Sequence, residues 1–519
     1  MIAAKERERS PPPPPPAAPA GRWLSLSHPT GILVLVGVFL AILMGAMDGL
    51  VVSTVLPTIA ADLHQTNGVT FVVSGYLVSS TIAIPLFARL SDIASRRNVF
   101  LVGLAIFIVG SAFAGLSQNL AELIVFRSIQ GFGGGGVFPV AIAMVAVLFS
   151  PEDRARAVGV ITGAAGIAIV AGPLLGSYIV SFTTWRWVFY INLPFGLFAM
   201  AILWVAVGPL LPAVRGKFDI AGAAMISGWV AALMIALVQV ADAGWGWTDP
   251  RILALLVATA VLFAAFLVWE LRTPEPLVPV RILTERVMAS SSGIMLFTGV
   301  VFSSLVTFLS LYVGFVLGGS AADIRDMIYF LAIPMIVGAG LSGVILDRIS
   351  YRAMVVPGLF VAGIAALFLR GIDGSTPLWR LSFGFLPTGG LALPLIPIGF
   401  GLGLALAGAT VAVQNEAPAA EVGAAIGLTR FFQSLGGAVG LSLLTVYQVW
   451  RFDQLKTGAT TPSAIVSALA GSYADVFFVL AISVLLAFVS ALWLKGRVPG
   501  TGPEAAEGPM AAPNPPPAG

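Results

Sequence analysis

An aspartate stands in the middle of one apolar run, Asp48 in GVFLAILMGAMDGLVVSTVLPTI (37–59), and an arginine stands in another, Arg127 in FRSIQGFGGGG. If such a run crosses a membrane, an ionised side chain in hydrocarbon costs roughly 2.5–3.5 kcal/mol even on the most lenient insertion scale. Something must offset that cost or use it. A carboxyl group in a dry site can hold a proton, because burial favours the neutral acid, and can release it when water or a cation arrives. Asp48 and Arg127 fall at similar depth in their predicted helices, so facing helices could pair them. Such a pair can carry a proton switch, with Arg127 tuning Asp48, or can fix helix register without titrating. Gln130 on the same helix as Arg127, and Arg430 and Gln433 in GLTRFFQSLGGAVG, are further polar groups in apolar surroundings. Together with Asp48 they are candidates for the wall of a substrate cavity.

Other chemistries find no residues. The chain has no cysteine and only two histidines, His28 and His64, which excludes disulfides, thiolate sites and a histidine-rich metal centre. There is no intramembrane His/Glu cluster, no Ser–His pair and no ATP-binding loop. The expectation is a protein that is not an enzyme, with no cofactor and no metal. Glu270, Asp326 and Glu416 fall near predicted helix ends, where solvation at the interface accounts for them. The glycine run from Gly131 to Gly136 lies within a helical pattern and reads as close helix packing through small residues, not as a phosphate loop.

The elements that must position these groups are membrane helices. Charged residues make up 10% of the 519-residue chain, against about 25% in soluble proteins, and mean hydropathy is +0.98. Apolar segments of the length needed to cross about 30 Å of hydrocarbon recur from Gly31 almost to Leu494. Breaking the chain at polar, Gly/Pro-marked turns predicts fourteen helices, at 31–59, 69–89, 98–117, 120–149, 157–181, 187–208, 219–240, 251–270, 288–317, 325–347, 353–370, 390–413, 422–448 and 474–495. Placing the N-terminus inside puts most Lys and Arg in cytoplasmic loops, as the positive-inside rule requires. The expectation is a multi-pass protein of the inner or plasma membrane with both termini cytoplasmic. The basic residues sit in short loops and form no stripe for nucleic acid. Residues 1–30 read as a Pro-rich cytoplasmic arm and 496–519 as a disordered tail. The segment 371–390 reads as an external piece that could form a short interfacial hairpin.

The chain also resembles itself. ARLSDIASRRNVFLVG after the second helix aligns with GVILDRISYRAMVVPG after the tenth, matching Asp92 with Asp347 and Arg97 with Arg352. VAVLFSPEDRARAVGVITG after the fourth aligns with VAVQNEAPAAEVGAAIGLT after the twelfth. These equivalences imply six-helix bundles at 31–208 and 288–495, with two further helices and a linker, 209–287, inserted between them. Paired bundles around a midplane site are a common build for secondary transporters. In the repeated loops Asp92, Arg96, Arg97, Asp347, Arg348 and Arg352 are candidates for a clamp that shuts the cytoplasmic side. The arginines also satisfy the positive-inside rule alone.

On these residues the chain resembles the major facilitator superfamily, and within it the fourteen-span drug:proton antiporter branch. MDGLVVSTVLPTI looks like that branch's first-helix signature. ARLSDIASRR is similar to the superfamily's loop motif, with Ala88, Ile93 and Ser95 in place of Gly, Arg and Gly. FRSIQGFGGGG resembles the fourth-helix motif. AIVAGPLLGSY resembles the fifth-helix antiporter motif around Gly172, Pro173 and Gly176, with Ala168 and Ser177 where glycines are usual. The resemblance covers roughly 31–495. It implies a major facilitator fold, alternating access, a helix bend at the fifth-helix motif, and proton-coupled export of amphipathic or hydrophobic compounds by a monomer in the bilayer. A dedicated exporter of one lipid-like or biosynthetic product, or an uptake carrier on the same fold, would carry the same coupling residues.

Overall fold

The computed structural model describes residues 24–65, 68–208, 218–241, 245–346, 349–372, 381–383, 386–387, 390–417, 422–458 and 460–494. Asp347 and Arg348 therefore lie outside the described residues, as do residues 1–23 of the arm and 495–519 with the tail. The helices are α1 (Pro29–Asp62), α2 (Phe71–Ile93), α3 (Arg96–Leu116), α4 (Leu120–Leu148), α5 (Pro151–Phe182), α6 (Trp187–Tyr190), α7 (Asn192–Ala206), α8 (Ile220–Ala241), α9 (Pro250–Arg272), α10 (Arg286–Leu311), α11 (Ala321–Ile345), α12 (Tyr351–Phe368), α13 (Ala392–Glu416), α14 (Val422–Leu455) and α15 (Pro462–Leu492). Among the described residues thirteen helical spans, counting α6 with α7 as one, are long and apolar enough to cross a membrane. Apolar chain in hydrocarbon must satisfy its backbone internally, which a helix does. α14 is the other long helix, with 34 residues; it is less apolar because Thr429, Arg430, Gln433 and Ser434 follow one another along it.

Capping sets the ends, and several ends depart from the hydropathy-based spans. α15 begins at Pro462, twelve residues before the predicted 474, because Thr461 accepts from the Ala464 N–H at 3.3 Å and proline suits the first turn. α11 starts at Ala321 on a capping box between Ser320 and Asp323. The predicted single helix 187–208 is broken at Ile191 into α6 and α7. Pro194 has no N–H to give the Tyr190 carbonyl, which loosens the chain there. In the segment 371–390, Leu381–Phe383 pairs antiparallel with Leu386–Pro387.

Helix packing repeats within the chain. α4 packs against α2 and α3, and α1 against α5 and α7; correspondingly α13 packs against α11 and α12, and α10 against α14 and α15. α8 and α9 pack mainly on each other, with α8 also touching α2 and α14. The glycines explain the tightest of these contacts. A Cβ at Gly131 would sit 2.5 Å from Ser79 Oγ of α2, and one at Gly133 would sit 2.5 Å from the Gly103 carbonyl of α3. On α13, Gly399 and Gly403 meet α11 at Leu331 and Met335, while Gly401 meets α12 at Gly358 and Ala362. GFGGGG (131–136) and GFGLG (399–403) thus do the same job in the two helices, a likeness the loop alignments did not include.

Leu24 and Trp493 lie at one end of the bundle: the Leu24 N–H donates to Leu148 O at 2.8 Å and Arg286 Nε to Trp493 O at 2.8 Å. At the opposite, far end, Pro57 of α1 fills the space beside Gly314 after α10. One hydrophobic cluster there runs from Met47–Ala60 of α1 into α10 and α11. Toward the near end, Val34–Met44 of α1 cluster instead with α3, α4, α5 and α7, and open space borders Gly159, Gly163 and Gly166 of α5 and Gly427 of α14. The seam between the two groups of helices is crossed at mid-height by Thr81 and Ser434, whose hydroxyls lie 2.7 Å apart, and by Tyr329 OH donating to Val170 O at 3.0 Å. The described contacts of α1 with α10 thus lie toward the far end, and open space borders α5 and α14 toward the near end.

Before α1, Asp153 at the start of α5 accepts from the Leu26 N–H at 2.9 Å and from Ser25 Oγ at 3.0 Å. Those bonds hold its carboxyl below the ordinary aspartate range, the Leu26 N–H contributing most. A lowered folded value means the attachment is fully present above the ordinary aspartate range and is lost as pH falls through the lowered one. The expected result is that Asp153→Asn speeds hydrogen exchange of the Leu26 amide at pH 7 several-fold. Wild-type exchange, corrected for the intrinsic rate, should approach that of the variant only below about pH 4.

Candidate functional site

Asp48 sits just past the middle of α1 and turns into the helices α3, α4 and α7, where it is 2% exposed. Arg127 of α4, fully buried, pairs with its Oδ2. Gln130, one turn on, takes a donor bond from Arg127 Nη1 at 2.7 Å and donates its own Nε2 to Asp48 Oδ1 at 2.8 Å. Asn192, placed at the start of α7 by the break at Ile191, donates to the same Oδ1 at 3.1 Å. Ser111 of α3 accepts from Gln130 and Asn192 at 3.2 and 3.0 Å and passes its hydroxyl to the Phe189 carbonyl at 2.9 Å. The guanidinium carbon of Arg127 lies 4.3 Å from the centroid of the Tyr76 ring, a cation–π geometry. A carboxylate in this nest is matched by one cation and by oriented amides, which is what makes its burial tolerable. One guanidinium nitrogen, Arg127 Nη2, has no hydrogen-bond partner.

Sequence reasoning found Asp48, Arg127 and Gln130, and the structure brings those three together. It missed Ser111, Asn192 and Tyr76. The available signal was Asn192 itself, an amide in the apolar stretch YINLPFG two residues before a proline.

The other sequence-derived positions lie elsewhere. Arg430 Nη1 donates to Gln433 Oε1 at 2.9 Å on α14, and Arg430 faces the Phe138 ring of α4 at 5.5 Å. This pair therefore borders the space between α4 and α14 and is not part of the Asp48 network. Gly172 and Gly176 bring α5 against α1: a Cβ at Gly172 would lie 2.9 Å from Leu50 Cβ and one at Gly176 3.0 Å from the Val51 carbonyl. Pro173 sits between them inside an unbroken helix. The described bonds of Asp92, Arg96 and Arg97 stay within α2–α7: Arg96 to Asp92 at 3.6 Å, Arg97 to the Trp204 carbonyl at 3.0 Å and over its ring. Arg352 is exposed. Of the carboxylates expected to be solvated, Asp326 is half-exposed beside Arg325, but Glu270 is fully buried. The reason is the chain after α9, which folds back over it.

The sequence profile of the Major Facilitator Superfamily matches residues 35–441. The chain belongs to the major facilitator superfamily. Its relatives in that superfamily include the multidrug transporter protein MdtP of Bacillus subtilis, 30% identical over 83% of this chain and 77% of that protein. Multidrug resistance protein 3 of the same organism is 28% identical over 90% of this chain and 96% of its own length. The tetracenomycin C resistance and export protein of Streptomyces glaucescens is 31% identical over 83% and 78%. Among solved structures, an inward-facing, occupied bacterial homolog of the human lysosomal transporter Spinster superimposes with a TM-score of 0.61 at 14% identity, over 90% of this chain and 96% of that one. This major facilitator protein is a multi-pass membrane transporter of the efflux type, not an enzyme.

Proposed function

We propose that this transporter exports amphipathic or hydrophobic compounds from the cytoplasm in exchange for protons, with Asp48 as the protonation switch and Arg127 as the partner that tunes it. One observation carries the reading. The turn of α1 that turns Asp48 toward Arg127 on one face meets Gly172 and Gly176 of α5 on another. Neutralising Asp48 releases Arg127 and changes how α1 seats, and α1 is packed on α5 without slack. A change of charge in the nest is thereby tied to the helix that borders the near-end opening. In this reading the near end is cytoplasmic, Arg430 and Gln433 line the cargo path, Asp92, Arg96, Arg97, Asp347, Arg348 and Arg352 close that side in the opposite state, and the proton gradient supplies the energy.

A second reading, export of one biosynthetic product, is favoured by the likeness to the tetracenomycin C export protein. Both readings are tested in inside-out membrane vesicles with a fluorescent lipophilic cation as cargo. Accumulation should follow an imposed proton gradient and collapse with a protonophore; accumulation that persists without the gradient sinks the coupling. Mutual competition among chemically unrelated compounds selects the multidrug reading. A single competitor family selects the dedicated one.

A further inference from the structure

Glu270, in the last turn of α9, is the buried carboxyl that the Asp48 network does not use. It has no exposed surface, its Oε1 has no hydrogen-bond partner, and its Oε2 accepts only the Val278 N–H, at 3.3 Å. The backbone N–H of Leu277 also faces it. The charged groups around it are accounted for. Asp219, ahead of α8, faces it across Gly222 and has donors of its own, accepting Trp269 Nε1 at 3.0 Å and the Gly222 N–H at 2.9 Å. Arg281 donates to the Leu271 carbonyl, Glu275 pairs with Arg89 of α2, and Arg272 lines an outward groove between α8 and α9. No cation faces Glu270 among these groups. The two carboxyls lie side by side, and Glu270, with backbone N–H groups at Oε2 alone and no donor on its buried Oε1, is tolerated there as the neutral acid.

The lid over Glu270 is the strap Thr273–Glu285. Its Leu277 and Val278 are buried in one cluster with Val78 of α2, Trp229 of α8 and Leu428 and Phe431 of α14. The strap runs straight into α10 at Arg286. Through the Arg89–Glu275 pair at the near end of α2 and the cluster it shares with Leu428 and Phe431 it links α2 to α14, across the seam that a rocking motion must open.

We propose that Glu270 is a second proton-binding site, addressed from the cytoplasm, whose protonation latches this strap across α2, α8 and α14. Loss of the proton to water leaves a carboxylate that must hydrate, and water reaches it only by lifting Leu277 and Val278. Lifting them also strains the Arg89–Glu275 pair and frees the start of α10. Alkaline cytoplasm loosens the seam and acidic cytoplasm fastens it. The proposal rests on the reading of the near end as cytoplasmic but not on Asp48 being the coupling residue.

The chain has no cysteine of its own, so Val278→Cys and, as a reference already exposed, Pro274→Cys each give one labelling site in purified full-length protein. Maleimide labelling at Val278→Cys, divided by that at Pro274→Cys, should rise with pH by up to about tenfold per unit across the transition, as one-proton linkage dictates. In Glu270→Gln the ratio should stay low at every pH. In Asp219→Asn, which removes the facing negative charge, the rise should move to lower pH. Adding Asp48→Asn should leave the wild-type rise in place, which separates this site from the proposed coupling. A pH-independent ratio in the wild type, or a rise in Glu270→Gln that tracks the wild type, overturns the proposal. So does a rise abolished by Asp48→Asn, which would assign the titration to that residue.

Discussion

Arg127→Leu lowers the stability of the folded protein by about 3–5 kcal/mol, the cost of leaving a buried charge without its partner, and adding Asp48→Asn recovers most of the loss. Asp48 has 2% of its surface exposed and Arg127 none, so water cannot replace either partner. Gln130 and Asn192 still donate to Oδ1 in the single variant, but Oδ2 loses its only charged donor. An asparagine at 48 removes the stranded charge, and the apolar leucine then leaves little unsatisfied. The part not recovered is the contact with the Tyr76 ring, worth roughly 2 kcal/mol for a desolvated cation. Unfolding midpoints of the wild type, both single variants and the double variant in detergent form a complete cycle. A double variant no more stable than Arg127→Leu would show that the pair does not hold the site together.

Asp48→Asn alone should cut gradient-driven accumulation in vesicles by roughly a hundredfold, the scale of losing a proton-transferring group, while cargo counterflow without a gradient persists. The asymmetry is the informative part. Counterflow needs only the cavity and the rocking motion, and Arg430 and Gln433, proposed above to line the cargo path, lie outside the Asp48 network. Loss of both activities in a folded variant would mean that the carboxylate serves the motion itself rather than the proton. Accumulation unchanged from the wild type would move coupling to another group. Because Asp48→Asn strands Arg127, the comparison must be made on protein shown to be folded, which the stability cycle supplies.

The helices and the core of the site were legible in the sequence for one physical reason: hydrocarbon makes charge expensive. Each long apolar run therefore announces a span, and each charge inside one, as at Asp48 and Arg127, announces a partner. Features set by distant chain were not legible. Ser111 and Asn192 are unremarkable polar residues until α3 and α7 are packed around α1. Glu270 reads as a solvated helix end until the strap after it is laid back across α8 and α14. The start of α15 was legible in principle in the Thr461–Pro462 cap but lost to a criterion based on hydropathy. The break at Ile191 was likewise encoded in Pro194, whose effect is felt one turn earlier.

The matched glycines of α4 and α13 carry one more consequence. Where Gly133 meets Gly103, Gly399 and Gly403 meet Leu331 and Met335, and Gly401 meets Gly358, backbone lies on backbone, so the slabs α2–α4–α3 and α11–α13–α12 have little slack at those contacts. Each slab is a stiff plate. Force produced by a charge change at one edge is not dissipated inside the plate but delivered to its far edge, at the Thr81–Ser434 and Tyr329–Val170 crossings. A small molecule wedged in the seam would stall the whole cycle, whereas the same molecule resting on the outer face of a plate would leave it running.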